Sequence, residues 1–161
     1  MPKRLMTPRG HKRIKKELED FKSQRPALAD LIEEARSHGD LSENADYDAA
    51  KNKSGLVEAK IRVLEASLSD FEIVNPLELK NITKVVFGTT VKVEDVDNGE
   101  EKVFSIYGDE ESDPDNGWLS YNTPLAKALF GKEVGDIATL KLPGKTREYE
   151  VLEIRVDYTE E

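Results

Sequence analysis

The chain has 161 residues, with 24 Lys and Arg against 33 Asp and Glu, and a formal net charge of −9. It has no cysteine, which excludes disulfide scaffolds, thiolate zinc sites and thiol nucleophiles. No apolar run approaches the roughly 18 residues that span a bilayer, and no apolar signal stretch follows the start, so a soluble, cytoplasmic protein is expected. The length allows one domain or two small ones.

Charge is distributed unevenly along the chain. Residues 1–25 hold nine basic and three acidic residues, whereas residues 26–50 hold one basic and seven acidic residues. The acidic total argues against a general DNA-coating protein, because neutralising phosphates requires a basic face. Local charge matters more than the total in deciding which partners a surface attracts, so the basic start and the acidic middle should attract different partners.

Apolar residues in the first half recur at alternating steps of three and four, which is the spacing of a helical heptad seam. The first run consists of Ile14, Leu18, Phe21, Leu28, Ile32 and Ala35, with Arg25 in the slot between Phe21 and Leu28. Thr7 followed by Pro8 predicts the start of this helix. Pro26 predicts a kink within it.

A second run with the same spacing consists of Tyr47, Ala50, Ser54, Val57, Ile61, Leu64, Leu68 and Phe71. If the two helices pack antiparallel, partner residue numbers sum to 85 or 86 throughout, which places the reversal near residue 42. Gly39 fits a helix C-cap, Asp40 or Ser42 fits the next N-cap, and Asn75 with Pro76 fits the end of the second helix. The sequence therefore predicts an antiparallel coiled-coil hairpin over residues 1–75, with its tip near residues 38–45.

The second half has the short apolar runs and turn residues of a small β-sheet. The predicted strands cover residues 85–87, 91–93, 103–107, 118–121, 138–142 and 149–154. One short helix is predicted between Thr123, as N-cap before Pro124, and Gly131, as its stop. The fold class is therefore α+β: a helical hairpin, a junction at residues 73–81, and a mostly antiparallel sheet domain with one short helix over residues 80–161.

The predicted tip concentrates the acidic residues Asp40, Glu43, Asp46 and Asp48. Asp40 and Glu43 have the spacing of a capping box, and acidic residues at a helix N-terminus are favoured by its dipole. Alternatively, the two carboxylates deliver ligands to a metal ion. Two carboxylates are too few to hold Mg²⁺ alone, so a partner would have to supply the remaining ligands.

Residues 39–51, Gly-Asp-Leu-Ser-Glu-Asn-Ala-Asp-Tyr-Asp-Ala-Ala-Lys, closely resemble the hairpin tip of the Gre transcript cleavage factors of bacterial RNA polymerase. Residues 6–10 look like the start of that family, and residues 120–132 look like its C-terminal signature. The resemblance covers nearly the whole chain. It implies a two-domain protein in which the sheet domain has an FKBP-like fold.

The resemblance also implies a function. Gre factors place the globular domain at the rim of the secondary channel of RNA polymerase and the hairpin inside it. There they stimulate the polymerase's own cleavage of backtracked nascent RNA near its 3′ end. The chain is accordingly expected to be a monomeric factor rather than an enzyme, and to engage Mg²⁺ only within the polymerase complex.

Individual residues match the family's functional positions. The acidic pair that would coordinate the second metal ion is Asp40 and Glu43. Residues that would position water, metal or RNA are Ser42, Asn44 and Tyr47. Basic residues near the tip that would contact RNA are Arg36, Lys51 and Lys53. The segment that would contact the polymerase is Asn122, Thr123 and Pro124.

Several alternatives remain open at this point. Arg36 and Lys51 also fit plain solvated helix-surface charges. Ser42 and Asp46 look more like GreB and residues 48–50 more like GreA, while the sparse basic residues near the tip favour GreA-like removal of short fragments.

One rival function is an FKBP-type prolyl isomerase with a chaperone arm, since fold does not fix function. Another is a Gre paralogue that inhibits the polymerase without cleavage.

Overall fold

The computed structural model describes residues 4–39 and 44–160, which form two compact units. The hairpin unit comprises residues 12–71, and the sheet unit comprises residues up to 11 together with those from 72 onward. The sequence placed residues 1–75 in the hairpin, whereas the structure groups the first eleven with the sheet unit. The reason is that Thr7 and Arg9 make buried contacts with Glu111 of that unit. No helix in the described ranges is both long and apolar enough to cross a bilayer.

Three helices account for the α-helical part of the hairpin: α1 (Pro8–Ser23), α2 (Arg25–Ser37) and α3 (Ala45–Ser69). The predicted start of α1 is confirmed, because the Gly10 amide donates to Thr7 Oγ1 at 3.2 Å.

The kink that was expected at Pro26 is instead a complete break between α1 and α2. Pro26 has no N–H to donate one turn back and its ring clashes there, so the helix stops and restarts at Arg25.

The helices of the hairpin unit pack through a small apolar core. Its buried members are Leu18, Leu28, Val57 and Ile61, with Phe21, Leu64 and Leu68 partly buried around them. Arg25 was predicted to face Ile61 in the seam. Instead its guanidinium is exposed and its Nε lies 2.7 Å from Glu58 Oε1, because a cation gains nothing from an apolar partner. Ala35 and Ala50 are both buried nearer the tip.

The second helix ends earlier than the sequence suggests. α3 stops at Ser69, and Phe71 begins strand β2 (Phe71–Ile73), which pairs with β1 (Arg4–Met6). Asn75 does not end α3. Its side-chain oxygen accepts from the Leu77 amide at 3.0 Å and so caps a single 3₁₀ turn, Pro76–Glu78.

The main sheet has five strands in the order β5-β4-β3-β7-β6. They are β3 (Thr90–Asp95), β4 (Glu101–Tyr107), β5 (Trp118–Ser120), β6 (Ile137–Leu142) and β7 (Lys145–Arg155). All neighbours pair antiparallel except β4 and β5, which run parallel. The short helix α4 (Pro124–Leu129) is capped by Thr123 as predicted, and its Ala126 and Leu129 are buried in the core beside Val91, Val93, Ile106 and Val151.

The strand predicted at residues 85–87 is wrong. Val85 exchanges hydrogen bonds with the loop after α4, since its amide donates to the Lys132 carbonyl at 2.9 Å. The Val86 carbonyl accepts from the Thr89 hydroxyl at 2.7 Å. This segment therefore turns before it can form a ladder with a neighbouring strand.

A buried ion pair ties the N-terminal segment into the sheet unit. Arg9 donates through Nε and a terminal nitrogen to Glu111 Oε2 at 3.0 and 2.8 Å, and both side chains are at most 5% exposed. The guanidinium carbon lies 4.1 to 5.0 Å from three aromatic ring centroids, those of Trp118, Tyr158 and Tyr107. Cation–π attraction and charge pairing thus act on the same guanidinium.

Glycine at residue 10 lets the backbone lie close to this pair. A Cβ on Gly10 would lie 2.6 Å from Glu111 Oε1, so the buried carboxylate would have to shift. The Gly10 backbone therefore permits the close approach on which the buried pair depends.

Candidate functional site

The described residues on both sides of the predicted tip show how the two helices end there. α2 ends at Ser37 with His38 as C-cap, whose amide donates to the Ala35 carbonyl at 3.2 Å. Gly39 follows with φ of +127°, a conformation that favours glycine. Asp40, Ser42 and Glu43 lie outside the described residues, so their metal-binding and positioning roles stay predictions.

The Asn44 side chain connects α2 and α3 by hydrogen bonding to both helices. Its side-chain oxygen accepts from the Tyr47 amide at 3.0 Å, which makes it the N-cap of α3. Its side-chain nitrogen donates to the Ala35 carbonyl at 2.5 Å, near the end of α2. The N-cap predicted at Asp40 or Ser42 is therefore wrong, because α3 begins at Ala45 and Asn44 fills that position. Asn44 was predicted to position water, metal or RNA, a role that stays a prediction.

Replacing Asn44 with alanine is expected to destabilise the hairpin unit by about 1–2 kcal/mol, because one N-cap and one interhelical hydrogen bond are lost together. Thermal unfolding followed by far-UV circular dichroism measures the change. Asn52→Ala is the matched control, since Asn52 is exposed in the middle of α3 and alanine is the better helix former. Equal melting of the two variants would contradict the role given to Asn44.

The predicted RNA-contacting residues are all exposed and lie in the helical turns next to the tip. Arg36 is in the last turn of α2, with only a 4.0 Å approach to Glu33, and Lys51 lies with its Nζ 5.5 Å from the Tyr47 ring centroid. Lys53 lines a cleft of about 350 Å³ between α2 and α3, whose other members include Leu31, His38, Ala49 and Ala50. The small alanines leave this space open. The structure thus places three cations around the tip, as the sequence predicts.

The predicted polymerase-contacting segment precedes and begins α4. Asn122 and Pro124 are exposed, and the Thr123 hydroxyl accepts from the Ala126 amide at 3.3 Å while donating to the Ser120 carbonyl at 2.8 Å. These bonds fix the backbone of the segment, so its shape is set before any partner binds.

Asp109 holds the Asn122 side chain in place. Its carboxylate accepts from Asn122 Nδ2 at 3.2 and 3.3 Å, from the Ser120 hydroxyl, and from Arg4 at 3.3 Å. These bonds, the one from Ser120 foremost, lower the pKa of the Asp109 carboxyl below its ordinary value. Asp109 therefore accepts as an anion at neutral pH.

The described ranges contain no cluster of three or more side chains suited to hold a metal ion. The only residues predicted to bind one are Asp40 and Glu43. Their carboxylate oxygens are donors of the type that Mg²⁺ prefers, and their number is too small to hold it without a partner.

Two profiles of known protein families cover almost the whole chain. Residues 4–73 match the N-terminal domain of transcription elongation factors, and residues 80–156 match the C-terminal domain described as transcription elongation factor, GreA/GreB. The chain belongs to the GreA/GreB family. The resemblance that the tip motif indicates is thereby confirmed.

The sequences of individual GreA/GreB family members are similar to this chain along nearly its full length. The chain is 46% identical over 156 residues to transcription elongation factor GreA of Neisseria meningitidis serogroup B, covering 96% of this chain and 99% of the relative. It is 44% identical to transcription elongation factor GreA of Ralstonia nicotianae, covering 93% and 96%. Among solved structures, GreA factor homolog 1 of Thermus thermophilus matches at 27% identity and a TM-score of 0.42, covering 95% and 99%.

Sequence reasoning missed two functional-site features of this family member. Asn44 could have been found as N-cap, because Asn-Ala-Asp is a preferred helix start with an acidic residue in the first turn. Asp109 could not have been found, because it lies thirteen residues from Asn122 and only the parallel pairing of β4 with β5 brings them together.

Proposed function

We propose that this chain binds bacterial RNA polymerase, enters the secondary channel with its hairpin, and stimulates the polymerase's cleavage of backtracked nascent RNA. The observation that carries this proposal is the tip, where Asn44 joins α2 to α3 directly after the acidic pair Asp40 and Glu43. Its membership of the GreA/GreB family supports the same conclusion.

The chain supplies a pair of anions, and the polymerase supplies the active site. Mg²⁺ held jointly by the polymerase and by Asp40 and Glu43 would activate water and stabilise the charge that develops on the cleaved phosphodiester. Two carboxylates suit a shared ion of this kind, because Mg²⁺ keeps a nearly octahedral shell of oxygen ligands. In this proposal the chain is not an enzyme by itself and holds no metal ion alone.

The residues around the tip would orient the RNA. Arg36, Lys51 and Lys53 present cations next to the acidic pair, where they would meet phosphates of the extruded 3′ end. Tyr47 and Ser42 would position the reacting water or the RNA. Only three cations are available for this contact, so the proposal favours short extruded fragments, as the GreA-like character of the relatives also does.

The sheet unit would dock on the polymerase at the channel rim through Asn122, Thr123 and Pro124. The Thr123 cap and the Asp109 bonds fix this segment in advance. A surface that is already ordered loses less conformational entropy on binding. The complex would form in the cytoplasm, with one copy of the chain on each polymerase.

Replacing Asp109 with alanine is expected to weaken polymerase binding about tenfold, which corresponds to about 1.4 kcal/mol, because Asn122 is no longer held. Cleavage at saturating factor should be unchanged, since the tip is intact. Titration of factor against polymerase measures both quantities. Asp115→Asn is the control, as Asp115 is an exposed carboxylate in the same unit. A loss of maximal cleavage with unchanged affinity would contradict the positioning role.

The proposed function is tested with a stalled, backtracked polymerase that carries end-labelled RNA. We expect addition of the chain to shorten the RNA from its 3′ end in a Mg²⁺-dependent reaction, and elongation to resume when nucleotides are added. Polymerase binding without shortening would assign the chain to the inhibitory paralogues instead. Activity on a proline-containing peptide, without any effect on the polymerase, would support the isomerase.

A further inference from the structure

α3 has a second row of small and apolar residues, on the side opposite the seam that packs the hairpin. The buried residues of the seam include Ala50, Val57 and Ile61. Each residue of the second row lies two positions from a seam residue, which is about 200° around an α-helix. We call this row the α3 outer stripe; it recurs at steps of four and three and consists of Ala45, Ala49, Asn52, Leu56, Ala59, Val63 and Ala66.

The two largest apolar side chains of the α3 outer stripe are left to solvent. Leu56 is 71% exposed and Val63 is 62% exposed, and they lie seven residues apart along one line of the helix. Helix propensity accounts for the alanines of the stripe but not for an exposed valine, which is a weak helix former. Single exposed apolar residues are ordinary, whereas a row of them at heptad spacing is the pattern of a second coiled-coil seam.

Gly55 lies beside the α3 outer stripe in the middle of the helix. Glycine is the poorest helix former after proline, and a Cβ at residue 55 would meet no described side chain or neighbouring element within 4 Å. The packing of the described chain therefore does not require glycine here. A second helix that came close to this side of α3 would benefit from it, because glycine permits close approach to the backbone.

Charged residues flank the α3 outer stripe in a self-complementary order. Asp46 and Asp48 lie on its two flanks near the start of α3, and Lys60 and Arg62 lie on the same two flanks two heptads later. In an antiparallel pair related by a twofold axis, each flank faces the same flank of the second copy. The acidic start of one copy then lies against the basic end of the other, which is a relation that only pairing with a second copy requires.

These four charges are not paired within the part of the chain that the structure describes. Arg62 lies within about one turn of Glu58 and Glu65, but those carboxylates pair with cations of α2 and α1. Asp48 lies three residues before Lys51 and forms no ion pair with it. The flanks of the stripe therefore keep their charges for an external partner.

We infer that two copies of this chain pair antiparallel through their α3 outer stripes. The register with the most opposite charges places Asp46 against Lys60 of the second copy and Asp48 against Arg62 of the second copy. The twofold axis repeats both contacts, so four ion pairs flank the interface. Exposed ion pairs of this kind contribute little affinity but determine orientation and register.

The same register pairs each large side chain with a smaller or polar one. The facing residues have numbers that sum to 108: Leu56 with Asn52, Val63 with Ala45, and Ala49 with Ala59. Gly55 faces its own copy beside the twofold axis. Lys53 also faces its own copy and is the one unfavourable contact, which its long side chain relieves by extending into solvent. A shift by one heptad would place Lys53 against Lys60 and leave no ion pair, so this register is favoured.

Self-association of the free chain does not depend on the proposed function and is measured without polymerase. One consequence does rest on that function. If the hairpin enters the polymerase channel, pairing and entry use the same helix, so the dimer would be a reserve form that dissociates before the factor acts.

The first test measures self-association by sedimentation equilibrium at about 5 to 500 µM chain. The stripe is short and rich in alanine, so we expect a dissociation constant of about 10–100 µM. Leu56→Gln combined with Val63→Gln should raise it at least about tenfold, and glutamine favours helix, so circular dichroism should be unchanged. Leu77→Gln with Val96→Gln is the matched control, because both residues are exposed apolar residues of the sheet unit. A wild-type chain that stays monomeric, or equal weakening in both variants, would overturn the inference.

An exchange of charges tests the register. Asp46→Lys with Asp48→Lys makes both flanks wholly basic, and Lys60→Glu with Arg62→Glu makes them wholly acidic. Each variant alone should associate at least about tenfold more weakly than the wild-type chain, whereas an equimolar mixture should form a dimer at least as tight as the wild-type one. Both variants keep a negative net charge, so attraction between whole molecules cannot explain the mixed dimer. A mixture that stays monomeric would contradict the antiparallel register.

Single cysteines test the direction of pairing, since the chain has none of its own. A short bifunctional maleimide should link two copies of Lys53→Cys, because residue 53 lies beside the twofold axis. It should not link two copies of Ala66→Cys, whose introduced side chains would lie about 36 Å apart in the antiparallel pair at ~1.5 Å rise per residue. Linkage through residue 66 but not through residue 53 would indicate a parallel pair and overturn the inference.

Discussion

Asp40→Ala and Glu43→Ala are each expected to reduce stimulated transcript cleavage by roughly 10²-fold or more while leaving polymerase affinity within about twofold. A charged group that acts on the transition state of a water-excluded site typically contributes this much. The retained affinity follows from the proposed division of labour, in which Asn122, Thr123 and Pro124 of the sheet unit supply the docking contacts.

The measurement combines a cleavage assay on a backtracked complex with a binding titration. Asp48→Ala is the matched control, because Asp48 is an acidic residue in the first turn of α3 and has no predicted metal role. It should lose only the ~0.3–1 kcal/mol of hairpin stability that the helix dipole provides. If Asp40→Ala and Glu43→Ala cleave as well as Asp48→Ala, the acidic pair has no metal-binding role in cleavage.

Glu111→Gln and Arg9→Ala are each expected to destabilise the sheet unit by about 3–5 kcal/mol. Removal of either partner leaves the other charge buried without its counter-charge. This costs far more free energy of folding than leaving an exposed charge unpaired. The environment is closed on all sides, since the Glu111 side chain is fully buried and the Arg9 guanidinium lies among Tyr107, Trp118 and Tyr158.

The chain's single tryptophan provides the measurement. Trp118 lies with its ring centroid 4.1 Å from the Arg9 guanidinium carbon, so its fluorescence during denaturant unfolding reports on this unit. Lys22→Ala is the control, because both side chains of the Lys22–Glu65 ion pair are exposed, and such a pair contributes at most about 1 kcal/mol. Equal unfolding midpoints for Arg9→Ala and Lys22→Ala would contradict the stabilising role given to the buried Arg9–Glu111 pair.

A double variant distinguishes lost charge from lost packing. Arg9→Met combined with Glu111→Leu removes both charges and retains much of the apolar volume, so it should be more stable than either single variant. If the double variant is less stable than Glu111→Gln, which keeps the guanidinium beside Tyr107, Trp118 and Tyr158, these aromatic contacts contribute more than the ion pair does.

Much of the architecture follows from the sequence because it rests on local rules. Heptad spacing locates the helices of the hairpin, Thr7 with Pro8 and Thr123 with Pro124 mark helix starts, and alternating apolar residues locate five strands. The exception at residues 85–87 depends on partners that local rules do not identify. Val85 and Val86 have strand-like composition, but their backbone groups bond to Lys132 and Thr89, and composition does not show which partner a peptide group will choose.

The candidate site also combines features that the sequence predicts with features that only the tertiary structure reveals. By itself the sequence indicated the family, through a resemblance that the family comparison confirms. It also predicted the acidic pair, the basic residues beside the tip and the docking segment, and the roles of these residues stay predictions. Only the tertiary structure decided that Asn44 joins α2 to α3, that Asp109 holds Asn122, and that Arg9 is buried against Glu111. Arg9 and Glu111 are separated by about a hundred residues, and hydrogen bonds across such distances depend on how strands and helices pack, which no local pattern encodes.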